Sequence, residues 1–177
     1  VPGVRIKVVG VGGAGGNAVS RMANRRDLGL ELLAINTDSQ ALGRIDDFPT
    51  FAIGPATTNG TGSGGDPNVG RKAMRESQAQ VSQLLEGADM VFVTAGMGGG
   101  TGTGAAPMIA EIAKKQGALT VGVVTRPFSF EGLRRQEVSD LGLKALEQKV
   151  DTLITIDNDR LLSDLDGALT LDRAFQT

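Results

Sequence analysis

The chain has 177 residues, 40% of them hydrophobic, and a net charge of -2. That balance suits one α/β domain with a sizeable core and argues against a disordered segment or a nucleic-acid footprint. Cys and His are both absent, which excludes a disulfide framework, a Cys or His zinc site, a cysteine nucleophile and a histidine base, and leaves oxygen ligands, favouring Mg2+ or a similar hard ion, for any metal.

In chain order, Val4 to Val11 reads as a buried strand, followed by the glycine loop Gly10-Val11-Gly12-Gly13-Ala14-Gly15-Gly16. Asn17 to Arg25 has helical spacing at Ala18, Val19, Met22 and Ala23. Glu31 to Ile35 is a second strand ending in Asn36-Thr37-Asp38, and Phe48 to Ile53 a short third one. Gly54 to Pro67 reads as a long loop, a length that points to function or mobility. Val69 to Leu85 reads as one helix with Val81, Leu84 and Leu85 facing inward. The strand Met90 to Thr94 leads into Gly96-Met97-Gly98-Gly99-Gly100-Thr101-Gly102-Thr103-Gly104, and the helix Ala105 to Gln116 follows, closed by Gly117. Then come the strand Leu119 to Thr125, the loop Arg126 to Gly132, the helix Leu133 to Lys149, the strand Thr152 to Asp157 and a short helix Asn158 to Leu165. Leu171 to Thr177 looks like a helix just begun, and the chain starts Val-Pro; both lead to the expectation of a piece of something longer. No apolar run reaches transmembrane length and nothing at the start reads as a signal peptide, so a cytoplasmic location fits.

Strands alternating with helices predict an α/β fold: a mostly parallel, doubly wound, Rossmann-like sheet with helices on both faces. Strand, glycine loop, helix is how such a fold offers backbone N–H groups to an anion. In the run 96–104 six of nine residues are glycine, and Thr101 and Thr103 add hydroxyls able to donate to phosphate oxygens. The earlier loop matches the dinucleotide fingerprint at Gly10, Gly12 and Gly15, with Glu31 or Asp38 downstream as the acidic partner. That motif alone allows an NAD-dependent oxidoreductase, which would leave Gly98 to Gly104 unexplained. A P-loop is excluded, because no Gly-x-x-x-x-Gly-Lys-Ser/Thr occurs and neither main glycine loop contains lysine. Three glycine-rich loops at the C-terminal ends of parallel strands could surround a di- or triphosphate, its charge met by backbone dipoles and an ion.

The loop Gly98 to Gly104 resembles the signature of the tubulin-like GTPases. Gly12-Gly13-Ala14-Gly15-Gly16-Asn17-Ala18-Val19, Ala34-Ile35-Asn36-Thr37-Asp38, Thr125-Arg126-Pro127-Phe128-Ser129-Phe130-Glu131-Gly132 and Asp157-Asn158-Asp159-Arg160-Leu161-Leu162 narrow the resemblance to the FtsZ family, over essentially the whole chain. The resemblance implies GTP or GDP with Mg2+ as ligands, held by Gly12, Gly13, Ala14, Gly15, Gly16 and Asn17 of the first loop and Gly98, Gly99, Gly100, Thr101, Gly102 and Thr103 of the second. It implies Glu131 and Arg135 on the ribose and phosphate side, Asn158 near the ribose, Asn36 and Asp38 near the phosphates and, through water, the metal, and the Gly54 to Pro67 loop sensing the γ-phosphate. Ala14 stands where many relatives have glycine and Gly16 where many have asparagine, and neither change removes a backbone N–H.

Plainer readings stand beside these. Glu131 and Arg135, four apart, also fit a surface ion pair, Asn158 a helix cap, and Asn36 and Asp38 a turn. Arg25-Arg26 and Lys114-Lys115 read as solvated faces.

Residues 1–177 correspond, by this resemblance, to a GTP-binding domain cut before the family's guanine-contacting segment, central helix and C-terminal domain. The family's catalytic loop lies in that later part, so the resemblance implies no catalytic residue in this chain. It implies a filament-forming cell-division GTPase at a mid-cell ring, with other copies head-to-tail as partners, membrane tethers and regulators reached through C-terminal regions, and no nucleic acid. The 177-residue chain is expected to bind nucleotide but not to hydrolyse GTP or polymerise normally. A non-catalytic filament-capping module is the remaining alternative.

Overall fold

The computed structural model describes residues 3–23 and 29–159. Arg25-Arg26, the last residues of the expected first helix, most of the helix expected over Asn158 to Leu165, and the helical start at Leu171 to Thr177 lie outside the described residues. The elements run β1 (Ile6–Val11), α1 (Gly12–Met22), β2 (Glu31–Asn36), α2 (Ser39–Gly43), β3 (Thr50–Ala52), α3 (Pro55–Thr58), α4 (Pro67–Glu76) and α5 (Gln78–Leu85). They continue with β4 (Met90–Gly96), α6 (Thr101–Lys115), β5 (Leu119–Arg126), a short 3-10 turn at Ser129–Glu131, α7 (Leu133–Glu147) and β6 (Thr152–Asp157).

The strands form one six-stranded sheet in the order β3-β2-β1-β4-β5-β6, and every pairing is parallel. Parallel neighbours need crossover connections, which the helices supply. The chain winds from β1 outward to β3, then crosses back through α3, α4 and α5 to place β4 against the other side of β1. Val8 pairs with Leu32 on one side and with Phe92 on the other. This is the doubly wound, Rossmann-like arrangement that the alternation of elements predicted, and its topological switch point lies between β1 and β4.

The core is continuous. Val9, Val11, Leu33, Ile35, Val91, Val93 and Val124 of the sheet pack with Met74, Val81, Leu85, Ile109 and Leu146 of α4 to α7. The α1 side is built on small residues instead. A Cβ on Gly15 would lie 2.5 Å from Thr94 O, and one on Gly10 would lie 2.7 Å from Val19 Cγ2, so glycine at both positions lets α1 sit directly on the sheet.

Several boundaries differ from the sequence reading. α1 begins at Gly12 and α6 at Thr101, so residues read as loop form the first turns of helices. The expected Gly54 to Pro67 loop contains α3. The expected single helix over Val69 to Leu85 is two helices that meet at Ser77, whose backbone (φ -106°, ψ 13°) leaves the helical region. The Ser77 side chain explains the break, because its Oγ accepts from Gly54 N at 2.9 Å inside the fold.

Candidate functional site

α1 and α6 start at the carboxyl ends of β1 and β4, on the two sides of the switch point. Neither helix has a side-chain cap or an acidic residue in its first turn. By contrast, Asp38 caps α2 through Gln40 N and Ala41 N, and Asp66 caps α4 through Asn68 N. The first N–H groups of a helix have no intrahelical partner and carry the positive end of its dipole. Two such ends open onto one cleft, a cavity of about 490 Å³.

Its floor is Gly12, Gly13 and Ala14 of α1 and Gly99, Gly100, Thr101 and Gly102 at the start of α6. Gly12 holds φ +77°, a left-handed turn that carries the chain from strand to helix while keeping the backbone bare. Asn36, Thr37 and Asp38 from the end of β2 form one wall, and Thr61 to Gly65 of the third loop form another. Glu131, Arg135 and Asn158 close the far side. All three glycine-rich loops singled out in the sequence therefore reach the same cleft.

Hydroxyls tie these walls together. Thr37 Oγ1 and Thr101 Oγ1 lie 2.7 Å apart, and Thr101 Oγ1 donates to Ser63 Oγ at 3.2 Å. Thr61 forms an isolated bridge with Asp38, and Ser39 N donates to Gly60 O at 3.0 Å. Asn36 Oδ1 accepts from Thr37 N at 2.8 Å and from Asp38 N at 3.3 Å. The turn-shaping reading of Asn36 and Asp38 and their place beside the cleft hold together. The same is true of Glu131 and Arg135: they pair at 3.2 Å, Glu131 Oε2 also accepts from Phe128 N at 2.6 Å, and both line the cleft.

The remaining candidates lie behind this surface or beside it. Gly15 is buried against Thr94 O. Gly16 and Asn17 line a neighbouring cavity of about 320 Å³ that shares Gly12, Gly13, Asn36 and Ala41 with the cleft. Thr103 is buried and its Oγ1 accepts from Gly98 N at 2.9 Å, so its hydroxyl braces the second loop from within. Lys114 and Lys115 stand on an exposed face, as the sequence reading had them, and pair there with Asp151 at 3.5 Å and Glu111 at 3.2 Å.

Gly96 and Met97 of the glycine run, and Thr125 and Pro127 of the segments that carry the resemblance, were given no ligand role in the sequence reading, yet all four line the cleft. The signal for Thr125 was present, since it ends a strand at the edge where ligands of open parallel sheets bind. Another cavity, about 460 Å³ and mostly apolar, lies at the opposite end of the sheet beside Lys7, Leu32, Phe48 and Leu84, away from both helix N-termini. Among the described residues no group of three or more His, Cys, Asp or Glu side chains converges as a metal cage, and no helix is long and apolar enough to cross a membrane.

Comparison with known proteins gives consistent matches. The profile described as Tubulin/FtsZ family, GTPase domain, covers residues 5–166. The cell division protein FtsZ of Pseudomonas aeruginosa is 55% identical over 170 residues, which is 96% of this chain but 43% of that protein. Among solved structures, an empty FtsZ dimer from M. jannaschii superposes with a TM-score of 0.88 at 46% identity, over 91% of this chain and 47% of that one. A GTPγS-bound protofilament of CetZ2 from Haloferax volcanii gives a TM-score of 0.79 at 31% identity, over 88% of this chain and 50% of that one. The chain thus spans about half, or less, of the length of the relatives it matches.

Proposed function

The chain belongs to the Tubulin/FtsZ family, matching its GTPase domain, and from that premise we propose that it binds GTP and GDP with the phosphates in the cleft between α1 and α6. The observation that carries this reading is the pair of uncapped helix N-termini facing one cleft, an arrangement that attracts anionic oxygens without any lysine. A single dinucleotide turn would need only one of them. The GTPγS-bound CetZ2 protofilament is a relative that holds this class of ligand.

In this reading Gly12, Gly13, Ala14 and Gly99 to Gly102 offer backbone donors to the phosphates, and Thr101 adds a hydroxyl. Gly15, Gly98 and Thr103 support those turns, and Gly16 and Asn17 extend the site into the adjoining cavity. Glu131, Arg135 and Asn158 take the sugar side. The donor set suits Mg2+, which keeps several waters and is held by one or two carboxylates plus phosphates. Asp38, whose Oδ1 serves the α2 cap, has a second carboxylate oxygen for such a water, and Asn36 lies beside it. Bound there, Mg2+ would neutralise phosphate charge.

The whole protein, on this reading, is a filament-forming cell-division GTPase of the cytoplasm, its copies arranged head-to-tail and its membrane tethers and regulators engaged through other regions. Hydrolysis needs a group that orients the attacking water. On this reading Asp38 serves the metal's water and Glu131 the sugar side, which leaves neither of the two carboxylates lining the cleft to orient the attacking water. The 177-residue chain should therefore bind nucleotide without turning it over.

Calorimetric titration with GTP, GDP, ATP and NAD in the presence of Mg2+ tests the site. Guanine-nucleotide binding that outcompetes NAD is expected, whereas binding of NAD alone would return the oxidoreductase reading. A sustained release of phosphate from GTP by the purified 177-residue chain would refute the claim that it lacks a hydrolytic group.

A further inference from the structure

The third glycine-rich loop is held by both ends of a single helix. Where the loop returns, Asp66 N donates to Ser63 O at 3.2 Å, and Asp66 Oδ1 accepts from Asn68 N at 2.9 Å to start α4. Where the loop departs, the far end of α4 grips it. Glu76 Oε2 accepts from Ala56 N at 3.0 Å, and Glu76 Oε1 accepts from Thr57 N at 2.8 Å and from Thr57 Oγ1 at 2.7 Å. Beside it, Ser77 Oγ accepts from Gly54 N at 2.9 Å. The N-cap position of α3 is Gly54, which has no side chain to offer, so Glu76 satisfies the first turn of α3 from twenty residues away.

Beyond this stem the loop becomes the wall of the cleft. Residues Thr61 to Gly65 line the cavity, and Ser63 reaches Thr101 at the start of α6. The wall thus lies over the positive end of the α6 dipole, where an anionic group is drawn. Besides the Asp38 bridge and the Ser63 hydroxyl, the wall is tied back to α3, where Thr61 N and Thr61 Oγ1 donate to Thr58 O at 3.1 and 2.7 Å, and forward to Asp66 N through Ser63 O.

We propose that Glu76 is a positioning residue for the phosphate end of the ligand: by fixing Ala56 and Thr57 it sets the path along which Thr61 to Gly65 reach over the cleft. Glu76 touches no ligand itself. The proposal rests on the reading of the cleft as a nucleotide site. A carboxylate is required because three donors converge on it and it offers only acceptors. The N–H of Ala56 and then the hydroxyl of Thr57 outweigh the opposing effect of burial and, with smaller help from the Thr57 N–H and Lys72, hold the Glu76 carboxyl below the ordinary carboxylate range, which keeps it ionised and accepting near neutral pH.

The test compares the wild-type chain with Glu76→Gln, which keeps length and shape, and Glu76→Asp, which keeps charge but falls short by one methylene. Without ligand, amide exchange at Ala56, Thr57 and Thr61 to Gly65 should quicken by about fivefold in both variants, the weight of about one ordinary hydrogen bond, with β1 and β4 unchanged. Affinity for GTP should fall by about the same factor while affinity for GMP holds. Unaltered exchange over Thr61 to Gly65 overturns the proposal, and so does an equal loss for GTP and GMP. If the wild-type chain binds no guanine nucleotide, the reading of the cleft fails, and the exchange measurement by itself decides whether Glu76 positions the wall.

Discussion

At the scale of single residues, close contact and hydrogen bonding decide the outcome of a substitution. Gly15→Ala puts a Cβ 2.5 Å from Thr94 O, where neither backbone can retreat without lifting α1 from the sheet. A cost of about 2 kcal/mol is expected, read as a fall in melting temperature of roughly 4–8 °C. Asp151 gives a pH-dependent case. The N–H of Thr120, at 2.8 Å, is the main cause holding its carboxyl below the usual range, with Lys114 assisting and burial opposing. A carboxylate whose pKa is lower in the folded chain stabilises it above the unfolded pKa, and that contribution is lost as pH falls through the folded value. Urea midpoints should therefore decline from about pH 5 toward pH 2 less steeply in Asp151→Asn than in the wild type; identical slopes would remove Asp151 from the account. The Gly10 and Gly15 contacts were legible in the sequence as a fingerprint. The partner of Thr103 was not, because its hydroxyl meets Gly98 N only once the loop has closed.

At the scale of elements, the junction of α4 and α5 is the instructive case. The sequence from Val69 to Leu85 has no glycine near the break and no proline after Pro67, and its inward row of Ala73, Met74, Val81 and Leu85 keeps helical spacing across Ser77, the polar residue on that row. Serine favours caps and turns, so Ser77 is a local signal of the break, but one serine among many carries little weight without its partner in view. What ends α4 is the demand of Gly54 N, a buried donor brought there by β3. Ser77→Ala should leave that donor unpaired and cost about 1–2 kcal/mol, with exchange of the Gly54 amide rising more than that of its neighbours. The opposite error occurred at α1 and α6, where glycine density suggested loops. Glycine is a poor helix former, yet close packing and exposed first-turn donors favour it there, and the site depends on those donors.

At the scale of the whole molecule, alternation of strands and helices was enough to indicate a parallel, doubly wound sheet, but not its strand order. Order depends on pairings such as Val8 with Phe92, which join distant segments and leave no local periodicity. Once the order is known, the position of the cleft follows, because the winding reverses where β4 docks against β1. A ligand bound there bridges both halves of the sheet and should stabilise all of it. GTP at about a hundred times its dissociation constant should raise the melting temperature by roughly 5–10 °C, and the absence of any shift at that concentration would argue against the site.

The three hydroxyls of Thr37, Thr101 and Ser63 form a string with a polarity. Each carries one proton. Thr101 gives its proton to Ser63, so the proton between Thr37 and Thr101 must come from Thr37. The string then points from the sheet toward the loop. An anionic oxygen above Thr101 would claim the Thr101 proton, and Ser63 would lose the donor that ties the loop to α6 while Thr37 keeps its bond. Occupancy would thus be written on the loop side, as a released hydroxyl, with Thr37 unchanged.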